Sequence, residues 1–184
     1  MTSVRDTITP EVALERVSDA LGSRAEDLKL NFGQVDLHCK PEEFVQVMQT
    51  LRDHEGLRCR YFTFLSAIDR SELGDEETRG GFEVLCHVYS PEHVVHVNVH
   101  VPLEGAEPVC PSITSVYRGS EWHEREAHEM FGIDFEGHPR LVNLYLPEDF
   151  EGHPLRKSFR LPSRFVKSWP GAKDPEEAAG GGRS

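Results

Sequence analysis

The chain of 184 residues and 20.8 kDa is long enough for one domain with a hydrophobic core plus an appended segment, and too short for two full domains. Asp and Glu number 32 against 20 Lys and Arg, so the net charge of −12 argues against binding to the phosphate backbone of nucleic acids. No uncharged apolar run approaches the about 20 residues that a membrane-spanning helix requires, and the N-terminus resembles neither a secretory signal nor a transit peptide. We therefore expect a soluble chain on the cytoplasmic side.

The cysteines are predicted to be small buried residues rather than ligands. They are separated by 20 residues or more, so the chain lacks the C-x-x-C spacing typical of zinc and iron–sulfur sites. Three of them fall in strand-like segments, where a thiol packs as an apolar group. The four residues are Cys39, Cys59, Cys86 and Cys110.

The first part of the chain predicts alternating helices and strands. A helix over residues 10–21 begins after the N-cap Thr9 and ends at Gly22. Apolar and polar residues alternate over 34–40, which predicts a half-buried strand.

A second helix, a second strand and a loop follow in quick order. The helix starts at Pro41 and ends at Gly56. The strand Tyr61–Asp69 carries aromatic residues on both faces, which predicts a central position in the sheet with cover on each side. The segment Ser71–Gly81 has no apolar period and is predicted to be an exposed loop.

A β-hairpin is predicted around a two-residue loop formed by Pro91 and Glu92. On one face this register pairs Val88 with Val95, Cys86 with Val97, Val84 with Val99 and Phe82 with Val101. On the other face it pairs Glu83 with His100, Leu85 with Asn98 and His87 with His96. The first face is entirely apolar, which supports the register.

The polar side chains of the second hairpin face admit two interpretations. His87, His96, His100 and Glu83 could converge on a metal ion, because alternate residues of a strand point the same way. The alternative is a polar sheet face, solvated or covered by another subunit. We favour the latter, because no hydrogen-bond partner that would orient the rings is evident.

A further helix is predicted from Ser120, as its cap, to Gly132. It contains His123, Glu124 and His128, which resemble the H-E-x-x-H motif of zinc proteases. The two histidines are five residues apart rather than four, so they lie on different helical faces and the motif is excluded.

The same helix carries Arg125 between Glu121 and Glu129, four residues to either side. Exposed ion pairs of this kind contribute only about 0.3–0.5 kcal/mol each. The cluster is therefore either a solvated face or an electrostatic docking surface, and the spacing alone favours the former.

Residues 135–184 are predicted to form an extended docking segment that follows an α/β domain over 1–134. FEGHP occurs at 135–139 and again at 150–154, and six of twelve prolines lie beyond residue 138, which excludes a helix. The segment is too apolar for a disordered tail, except at 178–184. Its apolar residues are Phe135, Leu141, Leu144, Tyr145, Leu146, Phe150, Leu155, Phe159, Leu161, Phe165 and Trp169. Its basic residues beyond 153 are Arg156, Lys157, Arg160, Arg164, Lys167 and Lys173.

Such a segment cannot bury its apolar residues against itself. We expect it to lie on a larger, locally acidic protein. The alternative is that it folds back over the sheet of its own domain.

The sequence around this helix and segment closely resembles the signature of the C-type subunit of NADH-quinone oxidoreductase, which is the 30 kDa subunit family of respiratory complex I. The positions that carry the resemblance are Glu124, Arg125, Glu126, Glu129, Met130, Phe131, Gly132, Ile133, Phe135, Gly137, His138, Pro139, Leu146, Pro147, Glu148, Asp149, Phe150, Gly152, His153, Pro154, Leu155, Arg156 and Lys157. Val142 and Asn143 stand where a basic pair is usual, and Ser158 where an aspartate is usual.

The resemblance implies a cofactor-free structural subunit without catalytic or metal-binding residues of its own. It implies a place in the hydrophilic arm, peripheral to the membrane, beside the D-type subunit, which forms the quinone site, and beside iron–sulfur subunits. FMN and iron–sulfur clusters are then expected in these partners, which pass electrons from NADH to a quinone coupled to proton translocation. The signature residues are expected at the partner interface.

We predict a two-layer α/β sandwich with a mixed or antiparallel four-stranded sheet, helices on one face and the docking segment. Two alternative functions are an equivalent subunit of a membrane-bound hydrogenase or of a ferredoxin- or F420-linked dehydrogenase, and a free-standing metalloenzyme built on His87, His96 and His100. The absence of nucleotide-binding, nucleophile and cysteine-ligand motifs agrees with a role in assembly and support.

Overall fold

The computed structural model describes residues 7–71 and 81–161. Its elements in chain order are α1 Pro10–Leu21, β1 Glu26–Asn31, β2 Gln34–His38, α2 Phe44–Asp53, β3 Tyr61–Asp69, β4 Phe82–Ser90, β5 Val95–Leu103, β6 Val109–Pro111, α3 Ser120–Phe131 and β7 Asp134–Glu136. None of these helices has the length and apolar character that crossing a bilayer requires.

The main sheet has five strands in the order β1-β2-β5-β4-β3. Strand β2 pairs with β5 in parallel, and the other neighbours are antiparallel, so the sheet is mixed. The predicted count of four strands was wrong because β1 was not recognised; only Leu28 and Leu30 of that strand are partly buried. Strands β6 and β7 form a separate parallel pair.

Strand β3 has the predicted bounds but lies at an edge of the sheet, so its predicted central position was wrong. Its aromatic residues are explained by two different neighbours. Helix α3 packs beside the strand, and Phe62 contacts the rings of Tyr117 and His123. Phe64 stacks on His87 of the adjacent strand instead.

The hydrophobic core lies between the helices and one face of the sheet. Val17 of α1, Phe44 and Leu51 of α2, and Leu37 and Val99 of the sheet are fully buried. The four cysteines are free thiols inside this core. We call the opposite sheet surface, which faces away from α1 and α2, the open face.

The β4–β5 hairpin differs from its predicted register by two residues. Its loop has four residues, 91–94, and Ser90 faces Val95. The observed apolar pairs are Val88 with Val97, Cys86 with Val99, Val84 with Val101 and Phe82 with Leu103. Because a shift of two keeps every side chain on its original face, the predicted apolar face is confirmed although the pairing was wrong.

The helix ends follow the capping predictions in part. The side chain of Thr9 accepts a hydrogen bond from the backbone N–H of Val12, as predicted. The second helix ends at Asp53 rather than Gly56. At its predicted start, Pro41–Glu43 form a 3₁₀ turn, and the α-helix begins at Phe44. Most of the predicted loop 71–81 and the end of the docking segment, including Phe165 and Trp169, lie outside the described residues.

Candidate docking site on helix α3

Helix α3 buries two of its glutamates. Glu124 is fully buried and Glu129 is 4% exposed, beside the apolar Ala127 and Phe131. The charge spacing left two alternatives for this helix, a solvated face and an electrostatic docking surface. Because they are buried, these two carboxylates belong to neither. Each one instead binds another part of the same chain.

Glu124 fixes the start of α3 to the turn before it. Its Oε1 accepts hydrogen bonds from the backbone N–H of Ile113 at 2.9 Å and from the hydroxyl of Ser120 at 2.8 Å. Ser120 therefore does not cap the helix as predicted, and Gly119 is the N-cap residue. Burial raises the pKa of Glu124 in spite of these hydrogen bonds. Its Oε2 is buried without a hydrogen-bond partner, which favours the protonated carboxyl.

Glu129 holds the backbone of the docking segment. Its carboxylate accepts hydrogen bonds from the backbone N–H groups of Leu144 and Tyr145, each at 3.0 Å, and of Leu146. Burial raises the pKa of Glu129, but these N–H groups outweigh it and lower the pKa below its ordinary value. The carboxylate thus acts as a charged anchor for three consecutive peptide groups.

Arg125 binds the docking segment at the two residues before those that Glu129 binds. Its Nε donates to the carbonyl of Val142 at 2.8 Å and its Nη2 to that of Asn143 at 2.7 Å. The guanidinium lies 5.2 Å from the ring centre of Trp122. Because Val142 and Asn143 contribute only carbonyl groups here, their departure from the family's usual basic pair leaves this contact intact.

Both FEGHP repeats place a histidine against a backbone carbonyl of α3, through Nε2 in the first repeat and Nδ1 in the second. In the first, the imidazole of His138 lies 3.1 Å from the carbonyl of Glu121. In the second, the imidazole of His153 lies 2.9 Å from the carbonyl of Glu129. The repeat therefore places one histidine on the backbone near each end of the helix.

Gly132 lets the second repeat approach the C-terminus of α3. It has φ +71°, and a Cβ at this position would lie 2.5 Å from both His153 Nε2 and Arg156 Nη2. Arg156 donates to the carbonyl of Phe131, and the N–H of Leu155 donates to that of Met130. These donors satisfy carbonyl groups that a helix end leaves free.

The described part of the segment ends beside the main sheet. The guanidinium of Arg156 lies 4.9 Å from the ring centre of Phe82, and the N–H of Lys157 donates to Asp69 Oδ2 at 2.8 Å. Sequence reasoning missed Asp69, and it missed Trp122 as a contact of Arg125. The only sequence signal for Asp69 is an acidic residue that ends an otherwise apolar strand.

The backbone of the docking segment is held by α3, whereas its side chains remain accessible. Phe135 is buried because it belongs to β7, which spans the predicted boundary at 134/135. No side chain over 137–161 is buried. The large apolar side chains most exposed in this part are Val142 42%, Tyr145 64%, Phe150 37%, Leu155 54% and Leu161 81%.

The remaining signature residues lie in three settings. Phe131, Ile133 and Phe135 are buried in the core. Among the others, the partly buried residues are Glu126, Met130, Gly132, His138, Leu146, His153, Pro154 and Arg156. Those that are exposed are Gly137, Pro139, Pro147, Glu148, Asp149, Phe150, Gly152, Leu155 and Lys157.

The predicted polar face of the hairpin separates into two groups. His100 Nδ1 lies 2.6 Å from Glu83 Oε1, and Arg70 pairs with the same carboxylate at 2.7 Å. His87 Nε2 instead lies 3.2 Å from His96 Nδ1. Within residues 7–71 and 81–161, no three histidine, cysteine or acidic side chains come together as metal ligands.

Comparisons with known sequences agree with the signature. The model of the family described as respiratory-chain NADH dehydrogenase, 30 Kd subunit, matches residues 37–165. The C-type subunit of the NADH-quinone oxidoreductase of Salinispora tropica is 36% identical over 136 residues, which cover 74% of this chain and 54% of that protein. A C-type subunit of Rhizobium meliloti is 38% identical over 137 residues, covering 74% and 72%. The chain spans about half the length of the Salinispora relative.

Two solved structures share the fold. The trypsin-resistant fragment (1–134) of Nqo5 superimposes with a TM-score of 0.58 at 22% identity, covering 71% of this chain and 98% of that one. A chain of the membrane-bound sulfane sulfur reductase, an archaeal respiratory membrane complex, gives a TM-score of 0.63 at 19% identity, covering 82% and 85%. These structures show the fold alone, whereas the sequence matches show that the chain belongs to the family of the 30 kDa subunit of respiratory-chain NADH dehydrogenase.

Proposed function

We propose that this chain is a structural subunit in the hydrophilic arm of an NADH-quinone oxidoreductase and docks on the quinone-site subunit. In this role it holds no cofactor and supplies no catalytic residue. NADH oxidation, FMN, the iron–sulfur clusters and quinone reduction belong to the neighbouring subunits. The chain itself lies at the cytoplasmic side of the membrane as a peripheral component.

The observation that carries this proposal is the arrangement of the docking segment. Hydrogen bonds to Glu129, Arg125 and the end of α3 fix its backbone, so little conformational entropy remains to be lost on binding. Its large apolar side chains, such as Tyr145 and Leu155, remain exposed. A preorganised row of aromatic and aliphatic anchors is typical of a protein–protein interface.

Binding of the full chain to the quinone-site subunit of the same complex tests the proposal. The chain carrying both Tyr145→Ser and Leu155→Ser is compared with wild type in a co-expression pull-down and by titration. Because truncation of central anchors often costs 2 kcal/mol or more, we expect the affinity of the double variant to fall by at least about tenfold.

The matched control is Phe32→Ser, which removes an apolar side chain that is 97% exposed in the β1–β2 turn, far along the chain from the segment. It should bind as wild type does, and all variants should keep the wild-type melting temperature. Unchanged affinity of the double variant, or an equal loss in the control, would refute docking through the segment. Recovery of the native chain without NADH- and FMN-binding subunits would refute the assignment to this type of complex.

A further inference from the structure

Two imidazole rings touch on the open face of the sheet, away from the docking segment. His87 lies on β4 and His96 on β5, at diagonal positions of the ladder, where His87 faces Asn98 and His96 faces Tyr89. Their nitrogens His87 Nε2 and His96 Nδ1 are 3.2 Å apart. Only the docking function has been assigned above, and these residues have no part in it.

We propose that His87 and His96 form a binding site for a divalent transition-metal ion of the Zn²⁺, Ni²⁺ and Cu²⁺ class. Metal–nitrogen bonds of about 2.0–2.1 Å to two atoms 3.2 Å apart close an N–metal–N angle of about 100°, which suits tetrahedral and square-planar ions. The separation of the two nitrogens therefore suits two ligands of one metal ion as well as a hydrogen bond.

The rings reach a common metal ion by a small side-chain movement. Their planes are inclined by 27°, so one ring must turn to direct its lone pair to the shared position. His96 is only partly buried, whereas His87 is 7% exposed and stacks on Phe64. The χ2 torsion of His96 has a broad energy minimum, so the turn is opposed mainly by the packing of this ring on Tyr89, whose ring centre lies 4.4 Å away.

A metal ion can bind both rings only by displacing the hydrogen bond between them, because that bond keeps a proton on one of the two nitrogens. The Nδ1 atom of His87 is buried and has no hydrogen-bond partner. With the proton on Nδ1, His87 Nε2 presents its lone pair toward His96, and a bound metal ion replaces the hydrogen bond between the two rings.

The second histidine pair on the open face is not equivalent. His38 and His100 stack at 4.7 Å, but His100 is bound to Glu83, and His38 Nε2 lies 3.8 Å from Asp27 Oδ2. Carboxylates thus engage nitrogens that a metal ion would need. Among the described residues no third ligand joins His87 and His96, so water completes the coordination of the ion.

Titration of the chelator-treated full chain with Zn²⁺, Ni²⁺ or Cu²⁺ alone tests the site. We expect one saturable ion per chain at pH 7.5, with Cu²⁺ bound more tightly than Zn²⁺ or Ni²⁺ and Mg²⁺ not bound. Ring signals of His87 and His96 should shift in NMR spectra when the ion binds.

His96→Gln should weaken binding at least about tenfold, since one nitrogen ligand is lost. The matched control His54→Gln removes an exposed imidazole and should leave the affinity unchanged. His87→Gln repeats the test on the buried partner. If His87→Gln does not fold, the result with His96→Gln still decides the test. The proposal is overturned if wild type shows no saturable site, or if His96→Gln binds as tightly as wild type.

Discussion

Two carboxylates on helix α3 are held in opposite electrostatic conditions. Glu124 accepts two hydrogen bonds at one oxygen and leaves the other buried without a partner, so burial raises its pKa. Glu129 receives three backbone N–H groups, so its pKa is lowered although burial opposes this. The balance between burial and the donated hydrogen bonds decides the sign, and burial prevails only at Glu124.

Glu129→Gln should loosen the docking segment. The amide keeps one acceptor oxygen but loses the charge, and hydrogen bonds to charged groups contribute about 1.5–3 kcal/mol. We expect the free energy of unfolding to fall by about 1–3 kcal/mol and proteolysis within 138–161 to become faster. Glu126→Gln on the same helix is the control, and equal effects of the two substitutions would contradict the assigned anchor.

The contribution of Glu129 should depend on pH in a defined direction. Because its pKa is lower in the folded chain than in the unfolded chain, its stabilisation is complete above the unfolded value of about 4.3 and is lost as pH falls through the folded pKa. The difference in unfolding free energy between wild type and Glu129→Gln should therefore be constant near pH 7 and shrink below about pH 4. Urea denaturation at a series of pH values measures this difference. A difference that grows on acidification would contradict a stabilisation that comes from the ionised Glu129.

Gly132→Ala should detach the second FEGHP repeat from α3. The substitution strains a residue at φ +71° and places a Cβ 2.5 Å from the side chains of His153 and Arg156. Gly137→Ala is a matched control, because Gly137 has φ +83° but no atom within 4 Å of the added Cβ. Through backbone strain, each substitution should lower the free energy of unfolding by about 1–2 kcal/mol. Urea denaturation measures this loss.

Only Gly132→Ala should also shift the ring signals of His153 in NMR spectra. Identical spectra of the two variants around His153 would show that the close approach to Gly132 has no energetic role.

At the level of elements, the hairpin turn between β4 and β5 stores backbone strain. Val94 has φ +60°, a conformation that is unfavourable for a β-branched residue. Val94→Asn should raise the unfolding free energy by about 1 kcal/mol, since asparagine tolerates the left-handed region. Val109→Asn changes an exposed valine without this strain, and it should not stabilise the chain in thermal unfolding. Destabilisation by Val94→Asn would show that its side-chain contacts outweigh the strain.

The same turn explains where sequence reasoning about the elements succeeded and failed. Alternation in β4 and β5 identified the apolar face, because period-two patterns survive a shift of two residues. The loop length was not predictable, because the four-residue loop depends on Val94 adopting φ +60°, which its sequence disfavours. Strand β1 escaped prediction because an edge strand buries little, and its period is interrupted by the register shift between Glu26 and Lys29.

Sequence reasoning named residues of α3 and of the docking segment, but it did not predict the contacts that they make within the chain. Charge spacing on α3 cannot distinguish a solvated glutamate from one bound to distant backbone, and Glu129 is bound to peptide groups 15–17 residues later. The proline-rich composition did predict correctly that the described part of the docking segment beyond β7 has no helix. Its attachment to α3 depends on N–H and carbonyl groups, which every residue carries and which leave no pattern in the sequence.

At the scale of the whole molecule, the domain and the docking segment share an element. Strand β7 pairs in parallel with β6, and Phe135 at its centre is 2% exposed. The rest of the described segment has no buried side chain. It contributes contacts from its backbone, from a few polar side chains and from Leu141, which is partly buried against the core. Loss of β7 should therefore affect the core, whereas loss of the residues after it should affect α3 and the docking surface.

Two truncated chains separate these contributions. Both the chain ending at Gly137 and the chain ending at Ile133 lose the donors to Glu129, so the difference between them isolates β7 and Phe135. Because removal of a buried phenylalanine side chain costs about 3–5 kcal/mol, the shorter chain should unfold at a clearly lower urea concentration. The longer one should keep cooperative unfolding and native circular dichroism while losing affinity for the quinone-site subunit. If the two chains unfolded at the same urea concentration, β7 would contribute nothing to the core, and if the longer chain still bound its partner at wild-type affinity, docking would not depend on residues 138–184.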